Sequence, residues 1–434
     1  MLNLPKLFLL LGFNENYFNT LASVTLFKKR IRILKPFDYL SGLFENANKA
    51  IVSYNTLAAS IGQVYQKTVS KQALHQVMNT SSFLLFIQTI FNDLLLAKIG
   101  IFKGKDASRF NKIIIQDSTI IKLPSSLFSL FSGVKNQYTQ VTNARIQFSF
   151  NLKTHQIEMY ELNTYSEQDV AVCHKLVVKE NDLVIRDRGY HTYAELTRIQ
   201  NEKAFFISRF KHISLIFDHK TGKQIDLLKV LKKSKNEQEI IVNLSSPTGP
   251  LVRLITQKVN DEIANTRRQK FKQEQKRNTP KQKTLDLMSW TIYITNIMDS
   301  DFNFKEINNY YLLRWRVEII FKAMKSHLNL DSIHKVSENQ LKFILLAKMI
   351  NIILIIQIIY KPISIQISNK YQKDVSLLKL FNYLIYNQKE ILNLLMVVLK
   401  KEKYPDKALK RVKKYCCYEK RVRENFAQQY KDVC

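Results

Sequence analysis

Lys112-Ile-Ile-Ile-Gln-Asp117, followed by Ser118-Thr119, is a short β-branched run that ends in an acid. Such side chains favour extended, pleated backbone, and a run of this length bounded by polar residues reads as a strand. The pattern recurs downstream. Residues 145–152 alternate through Ile146, Phe148 and Phe150 and read as a half-buried strand, with 156–162 as its hairpin partner. Residues 168–178 read as helix. Asp182-Leu-Val-Ile-Arg186 is a further strand that stops at Asp187-Arg-Gly-Tyr190, and 193–200 and 204–210 read as helix and strand. Three strands followed by helix, strand, helix, strand is the order of an α/β domain with a mixed sheet and flanking helices.

On either side the rhythm changes. Residues 1–105 read as a helical domain. Within it Thr56-Leu-Ala-Ala-Ser-Ile-Gly62 and Val69-Ser-Lys-Gln-Ala-Leu74 resemble the two arms of a helix-turn-helix. Leu57, Ala58 and Ile61 would face inward, Gly62 would end the first helix and Ser70 would cap the second. The spacer is longer than the usual three or four residues. The first part of the core runs over 106–210, and 211–303 reads as a β-rich insert with strands at 239–244, 251–259 and 290–297. A basic run at 266–283 has eight cations against Glu274 and reads as a solvated loop or a phosphate-following one. A helix at 308–328 completes the core within 304–340, and 341–434 is a helical C-terminal region. Its most apolar run, 343–360, holds Lys348, Asn351 and Gln357, so it reads as a buried helix and not a membrane span. Residues 400–424 form a basic tail with 11 cations, four acids and three tyrosines.

Composition sets the class of partner. The 434 residues include 67 Lys and Arg against 36 Asp and Glu, a formal charge of +31. A surface this basic favours a polyanion, and nucleic acid fits better than a membrane or a small-molecule substrate. With 46% apolar residues and only 9 Gly and 8 Pro, wholesale disorder and low-complexity classes are excluded. Cys173, Cys416, Cys417 and Cys434 make neither a metal-ligand CxxC nor a disulfide framework, which suits a reducing cytoplasm. The start, MLNLPKLFLLLGF, lacks a basic leader and a small-residue cleavage site, so it does not read as a signal peptide.

The chemistry concentrates in Tyr311-Leu-Leu-Arg-Trp-Arg-Val-Glu318, with Lys325 seven positions further on. At ~100° per helical residue, Arg314, Glu318 and Lys325 all fall within about 60° of Tyr311. Leu313, Val317, Ile320 and Met324 form a separate stripe for the core. One side of the helix therefore buries itself while another presents a carboxylate among cations and a phenol. A carboxylate holds a divalent metal, Arg314 grips phosphate bidentately, Lys325 supplies a point charge and Tyr311 a hydroxyl donor. An Arg–Glu pair at i, i+4 is also an ordinary surface salt bridge. The two strand-end aspartates, Asp117 and Asp187, tip the balance: with Glu318 they make an oxygen-only set of the kind Mg²⁺ or Mn²⁺ prefers.

The DST at Asp117, the DRGY at Asp187 and the Y-(2)-R-(3)-E-(6)-K pattern at Tyr311, Arg314, Glu318 and Lys325 resemble the DDE transposases of the insertion sequence 4 family. The resemblance implies an RNase H-like core with a β-rich insert before the helix that bears the Glu. It implies that Asp117, Asp187 and Glu318 are a catalytic triad holding two Mg²⁺ (or Mn²⁺) ions. Tyr311, Arg314 and Lys325 would contact DNA phosphates, and the chain would act as a dimer on paired double-stranded ends in a bacterial cytoplasm, at the nucleoid. Trp290, at the head of the strand Thr-Ile-Tyr-Ile-Thr, is a candidate for stacking on an unpaired base, or else a core indole. Trp315, inside the helix, reads as packing. The expected activity is metal-dependent cutting at terminal inverted repeats and joining to target DNA. The alternatives are a catalytically silent DNA-binding derivative or an RNase H-like nuclease.

Overall fold

The computed structural model of the chain describes residues 8–9, 11–28, 33–47, 49, 51–66, 68–96, 109–135, 140–233, 236–275, 279–387 and 406–419. Most of the start 1–13, and 400–405 and 420–424 of the basic tail expected from the sequence, lie outside these residues. The described strands are β1 (Ile113–Lys122), β2 (Ser132–Lys135), β3 (Gln140–Asn151), β4 (Gln156–Thr164), β5 (Leu183–Arg186), β6 (Phe205–Arg209), β7 (Ile216–Asp218), β8 (Glu237–Leu244), β9 (Leu251–Lys258) and β10 (Trp290–Thr295). They form one sheet in the order β2-β3-β1-β5-β6-β10-β9-β8-β7, with β4 beside β3. β3 runs antiparallel to β1 and β4, while β5 and β6 run parallel to β1. Three antiparallel strands followed by two parallel ones are the RNase H-like core.

The insert is not a separate body. β9, β8 and β7 continue the sheet through β10, which pairs with β6 on one side and β9 on the other. The basic run is also better ordered than expected. Its first half lies on the helix Asp261–Glu274, capped by Asn260, because Asp261 and Glu262 supply the first-turn acids that a helix N-terminus favours.

Alternation along the strands fixes what faces what. Ile113 and Ile115 enter one apolar core, and Ile114 enters the other, on the opposite face of the sheet. Leu183 and Ile185 of β5 share the face of Ile113 and Ile115, and Val184 shares that of Ile114. Both faces of β1 and β5 are therefore covered, as their unbroken apolar runs require. β3 departs from its half-buried reading for the same reason: Gln147 and Ser149 are as buried as Ile146 and Phe148. The helix expected at 168–178 shrinks to a turn at Asp169–Val172 and a 3₁₀ turn at Cys173–Lys175.

The N-terminal helices include Tyr54–Tyr65 and Lys71–Met78. Leu57 and Ile61 are buried, and Ser70 caps the second helix through the backbone N–H of Ala73. Gly62 does not end the first helix; the left-handed residue is Gln66, at φ 54°. The apolar run at 343–360 is a buried helix. Glu338–Leu354 passes into a π-helical turn, Ile355–Tyr360, and on into Lys361–Tyr371. Pro362 offers no N–H to the preceding turn, which accounts for the widened ring there. This helix is long and apolar enough to cross a membrane by length and composition, yet its apolar window is wholly buried inside the protein.

Candidate active site

β1 and β5 deliver the two aspartates by register. Their parallel pairing runs from Ile113 opposite Leu183 to Gln116 opposite Arg186, and the next residue on each strand is the acid. By parity both acids belong to the face of Ile113, Ile115, Leu183 and Ile185. β1 continues to Lys122, so Asp117 is inside the strand and not at its end, but it stands where the pairing with β5 stops. After Asp187 the chain turns through the 3₁₀ segment Arg188–Tyr190; a Cβ at Gly189 would meet only Asp169 Oδ2, at 3.8 Å.

The third acid comes from a helix laid across that face. The helix expected at 308–328 is broken in two, Phe304–Leu312 and Trp315–His327, with a tightened turn at Leu313 and Arg314. There the backbone N–H groups of Leu313, Arg314, Arg316 and Val317 bond three residues back, to Tyr310, Tyr311, Leu313 and Arg314. The core stripe survives the break, with Leu313, Val317, Ile320 and Met324 all buried. The break turns Trp315 outward to 53% exposure, contrary to its expected packing role.

Arg314 sits at the centre of the site. Its Nη1 donates to Asp117 Oδ2 at 2.8 Å and its Nη2 to Glu318 Oε1 at 2.9 Å. Its Nε is buried without a partner. The Tyr311 hydroxyl donates to Asp187 Oδ1 at 3.1 Å. Burial pushes the Asp117 carboxyl up to about 6; Arg314 pulls it back, and the negative charges of Glu318 and Asp187 push it up again. Burial and the Asp187 charge raise the Tyr311 phenol far above its ordinary range, so it remains a proton donor. Asp117 and Glu318 line an open cleft of about 550 Å³, with Lys322 and Lys325 beside them. Lys325 Nζ donates to the carbonyl of Ile120 at 2.7 Å and lies 3.5 Å from Asp331.

Two hydrogen-bonded groups thus stand side by side, Arg314 with Asp117 and Glu318, and Tyr311 with Asp187; the Arg314 guanidinium lies 5.8 Å from the centre of the Tyr311 ring, and Lys325 stands further along the cleft of Asp117 and Glu318. Two of the residues expected to contact DNA are buried. Tyr311 is 4% exposed and its hydroxyl donates to Asp187. Trp290 is 5% exposed within the second core, because β10 is covered on both faces, and its indole has no free face on which a base could stack.

Other members of the site were not foreseen. Beneath Ser118, Arg145 Nη1 donates to Ser118 Oγ at 3.2 Å and to Asp169 Oδ1 at 2.9 Å. Gln147 Nε2 donates to the same Asp169 oxygen, and the Tyr190 hydroxyl to Gln147 Oε1. This network ties the DRGY turn to β3. The odd-numbered polar positions of β3 were its signal. Arg209 lies over the rings of Tyr311 and Tyr293, at 5.2 and 5.0 Å, and Lys211 donates to the carbonyl of His191. These cations stand on the Asp187 side.

Among the described residues no three carboxyl or imidazole groups already stand close enough to hold one metal ion. The guanidinium of Arg314 is interposed between Asp117 and Glu318. The donor set nevertheless suits a hard divalent cation: three carboxylates, oxygen only, gathered around a cationic centre.

The profile of the family described as "Transposase DDE domain" matches residues 108–354. The transposase for insertion sequence element IS1151 of Clostridium perfringens is 25% identical over 402 residues, which cover 86% of this chain and 84% of that protein. The transposase for insertion sequence element IS231E of Bacillus thuringiensis subsp. finitimus is 22% identical over 417 residues, covering 88% and 87%. Among solved structures, a piggyBac transposase synaptic complex with hairpin DNA aligns with a TM-score of 0.46 at 12% identity, over 99% of this chain and 88% of that one.

Proposed function

The chain belongs to the DDE transposases of the insertion sequence 4 family, and we propose that Asp117, Asp187 and Glu318 are its catalytic acids. As a DNA transposase it cuts and joins phosphodiesters; the DNA it acts on is the terminal inverted repeats of its own element and a target duplex. The observation that carries the assignment of acids is their meeting around Arg314 and Tyr311 from three separate elements.

Asp117, Asp187 and Glu318 would hold Mg²⁺, with Mn²⁺ as a substitute and two ions as the working number. When bound, the ions supply Lewis-acid activation of the attacking oxygen and charge neutralisation at the leaving oxygen. The protein's own groups do the rest. Tyr311 orients Asp187 through its hydroxyl. Arg314 has donors to spare beyond the two already used and can fork onto a phosphate, and Lys325 adds a point charge along the same cleft. The nucleophile is water for nicking and a DNA 3′-hydroxyl for hairpin formation or strand transfer. No side chain needs to become covalently attached to DNA.

The helical region of residues 1–105, with its helix pair at Tyr54–Tyr65 and Lys71–Met78, is assigned to DNA-end binding. Residues 106–210 and 304–340 form the catalytic core, 211–303 the insert and 341–434 the C-terminal region. Two ends must be brought together, so the working form is a dimer on DNA, in the cytoplasm at the nucleoid.

Glu318→Gln and Asp117→Asn are expected to abolish Mg²⁺-dependent nicking and joining of end-bearing DNA while leaving its binding, read by gel shift, largely intact. Wild-type cleavage by both variants would reject the assignment. Nicks without joined strands or hairpins would point to a plain nuclease instead.

A further inference from the structure

The last described helices, Leu377–Tyr386 and Asp406–Cys416, carry a surface that the chemistry above does not use. They pack on one another, and the first of them packs on the helix Trp315–His327, where the Phe381 ring stacks on His327 at 6.1 Å and 12°. Asp406–Cys416 buries Ala408, Leu409, Val412 and Cys416. Its opposite side turns Lys407, Lys410, Arg411, Lys414 and Tyr415 to solvent. Apolar residues at 408, 409, 412 and 416 against cations at 407, 410, 411 and 414 divide the helix sharply in two.

Between the two helices lies an open groove of about 670 Å³. Its described lining has two cations (Lys379 and Arg411), two amides (Asn382 and Asn387), three tyrosines and no carboxylate. Two of the phenols are conspicuously wet: Tyr386 is 80% exposed and Tyr415 is 52% exposed. The rings of Tyr383 and Tyr415 lie 6.0 Å apart at 15°, and Lys414 Nζ is 5.4 Å from the centre of the Tyr415 ring. Lys379 pairs with Glu419 at 2.7 Å.

These are the parts of a nucleic-acid strand site. Flat phenol faces accept any base, since every base has a π surface, while amides offer both a donor and an acceptor to base edges. The surrounding Lys and Arg side chains match phosphates in sign. An acidic protein would answer the cations but leave the exposed rings and paired amides without a use. A membrane would need apolar side chains on the outer face of Asp406–Cys416, and that face is cationic.

We infer that this groove is a second DNA-binding surface, which holds an unpaired strand by stacking bases on Tyr386 and Tyr415 while Lys410, Arg411 and Lys414 hold its phosphates. The inference rests on the reading of the chain as a DNA-cutting enzyme and adds a place for DNA beyond the carboxylate cleft. Because Leu377–Tyr386 packs on the helix bearing Glu318, a strand in the groove is held one helix away from the element that carries the chemistry.

The test uses the full-length protein and a single-stranded oligonucleotide of unrelated sequence carrying 5-iodouracil, alongside its duplex. Ultraviolet crosslinking followed by peptide mass spectrometry should give adducts at Tyr386 or Tyr415 with the single strand. By fluorescence anisotropy, the double variants Tyr386→Ala/Tyr415→Ala and Arg411→Glu/Lys414→Glu should each bind the single strand roughly tenfold more weakly. The charge-reversed pair should also show a shallower salt dependence. These side chains are exposed, so the variants are expected to keep the wild-type melting temperature and, at saturating end DNA, Mg²⁺-dependent nicking. Absence of adducts on both tyrosines, single-strand affinities within twofold of wild type, or a loss confined to the duplex would each overturn the inference. If nicking persists while the groove variants bind as wild type, only this inference falls. If the wild-type protein never nicks end DNA, the enzymatic reading falls, and the crosslink still decides the groove.

Discussion

Asp117 shows how much one side chain can be asked to do. The sheet and the helix Trp315–His327 enclose it, and burial raises its carboxyl from 3.8 to about 6 even with Arg314 at 2.8 Å. A raised folded-state value means that the fold prefers the protonated acid. The stability contributed by Asp117 is therefore full below about pH 4 and is lost as the pH rises through 6. At neutral pH the protein carries an ionised, largely buried carboxylate at a cost of about 1–3 kcal/mol. Asp117→Asn should accordingly raise the melting temperature at pH 7.5 in metal-free buffer, and the gain should vanish at pH 4. A scan showing the same shift at both pH values would contradict this. The variant would be more stable and inactive, as is common where a site is built against stability.

Elements keep that site in shape. Arg186, the last residue of β5, donates to Glu195 Oε1 at 2.6 Å, and both side chains are nearly inaccessible. Arg198 completes the cluster. Burial pushes Glu195 up, but the hydrogen bond from Arg198 and the charge of Arg186 outweigh it and hold the carboxyl below its ordinary range. Glu195→Ala would strand the Arg186 charge beside Asp187. Urea denaturation should show a loss of about 3–5 kcal/mol, and nicking should fall because the end of β5 is no longer held. The strands that carry Asp117 and Asp187 were legible from the sequence because an unbroken β-branched run buried on both faces has few other readings. The motif spacing gave Glu318 its neighbours. What composition could not give was set by packing between distant segments. The turn at Leu313 and Arg314 interrupts a run whose periodicity reads as continuous helix. That turn exposes Trp315, which reads as packing in the sequence, while pairing with β9 buries Trp290, the core alternative of its two readings. Gly62 stays inside its helix, and Gln66 takes the left-handed position. The insert's strands were visible, but not that they extend the core sheet, since pairing partners leave no local mark.

At the scale of the whole molecule, the buried helix Glu338–Leu354 is the common contact of distant parts. Lys348, 1% exposed, donates to the carbonyls of Ala47, Lys49 and Leu328, so one ammonium joins the N-terminal helices to the end of the helix that bears Glu318. Burial pulls that ammonium down to about 8. Lys348→Met would leave two buried carbonyls, of Ala47 and Leu328, without this donor and should lower stability by roughly 2–4 kcal/mol. Trypsin should then cut faster at Lys49 than in the wild type; an unchanged cleavage rate would argue that the tie is dispensable. The same packing has a consequence in time. Phe83, Phe86, Ile87 and Ile90 of the helix Ser81–Leu96 share one core with Phe343 and Leu346, so the early helices lack their partner until the ribosome has passed residue 338. At roughly 5–20 residues per second, the wait is on the order of tens of seconds. A message truncated before that codon yields a chain whose helix Ser81–Leu96 lacks the long buried helix it packs on, with Phe83, Phe86, Ile87 and Ile90 left open to water.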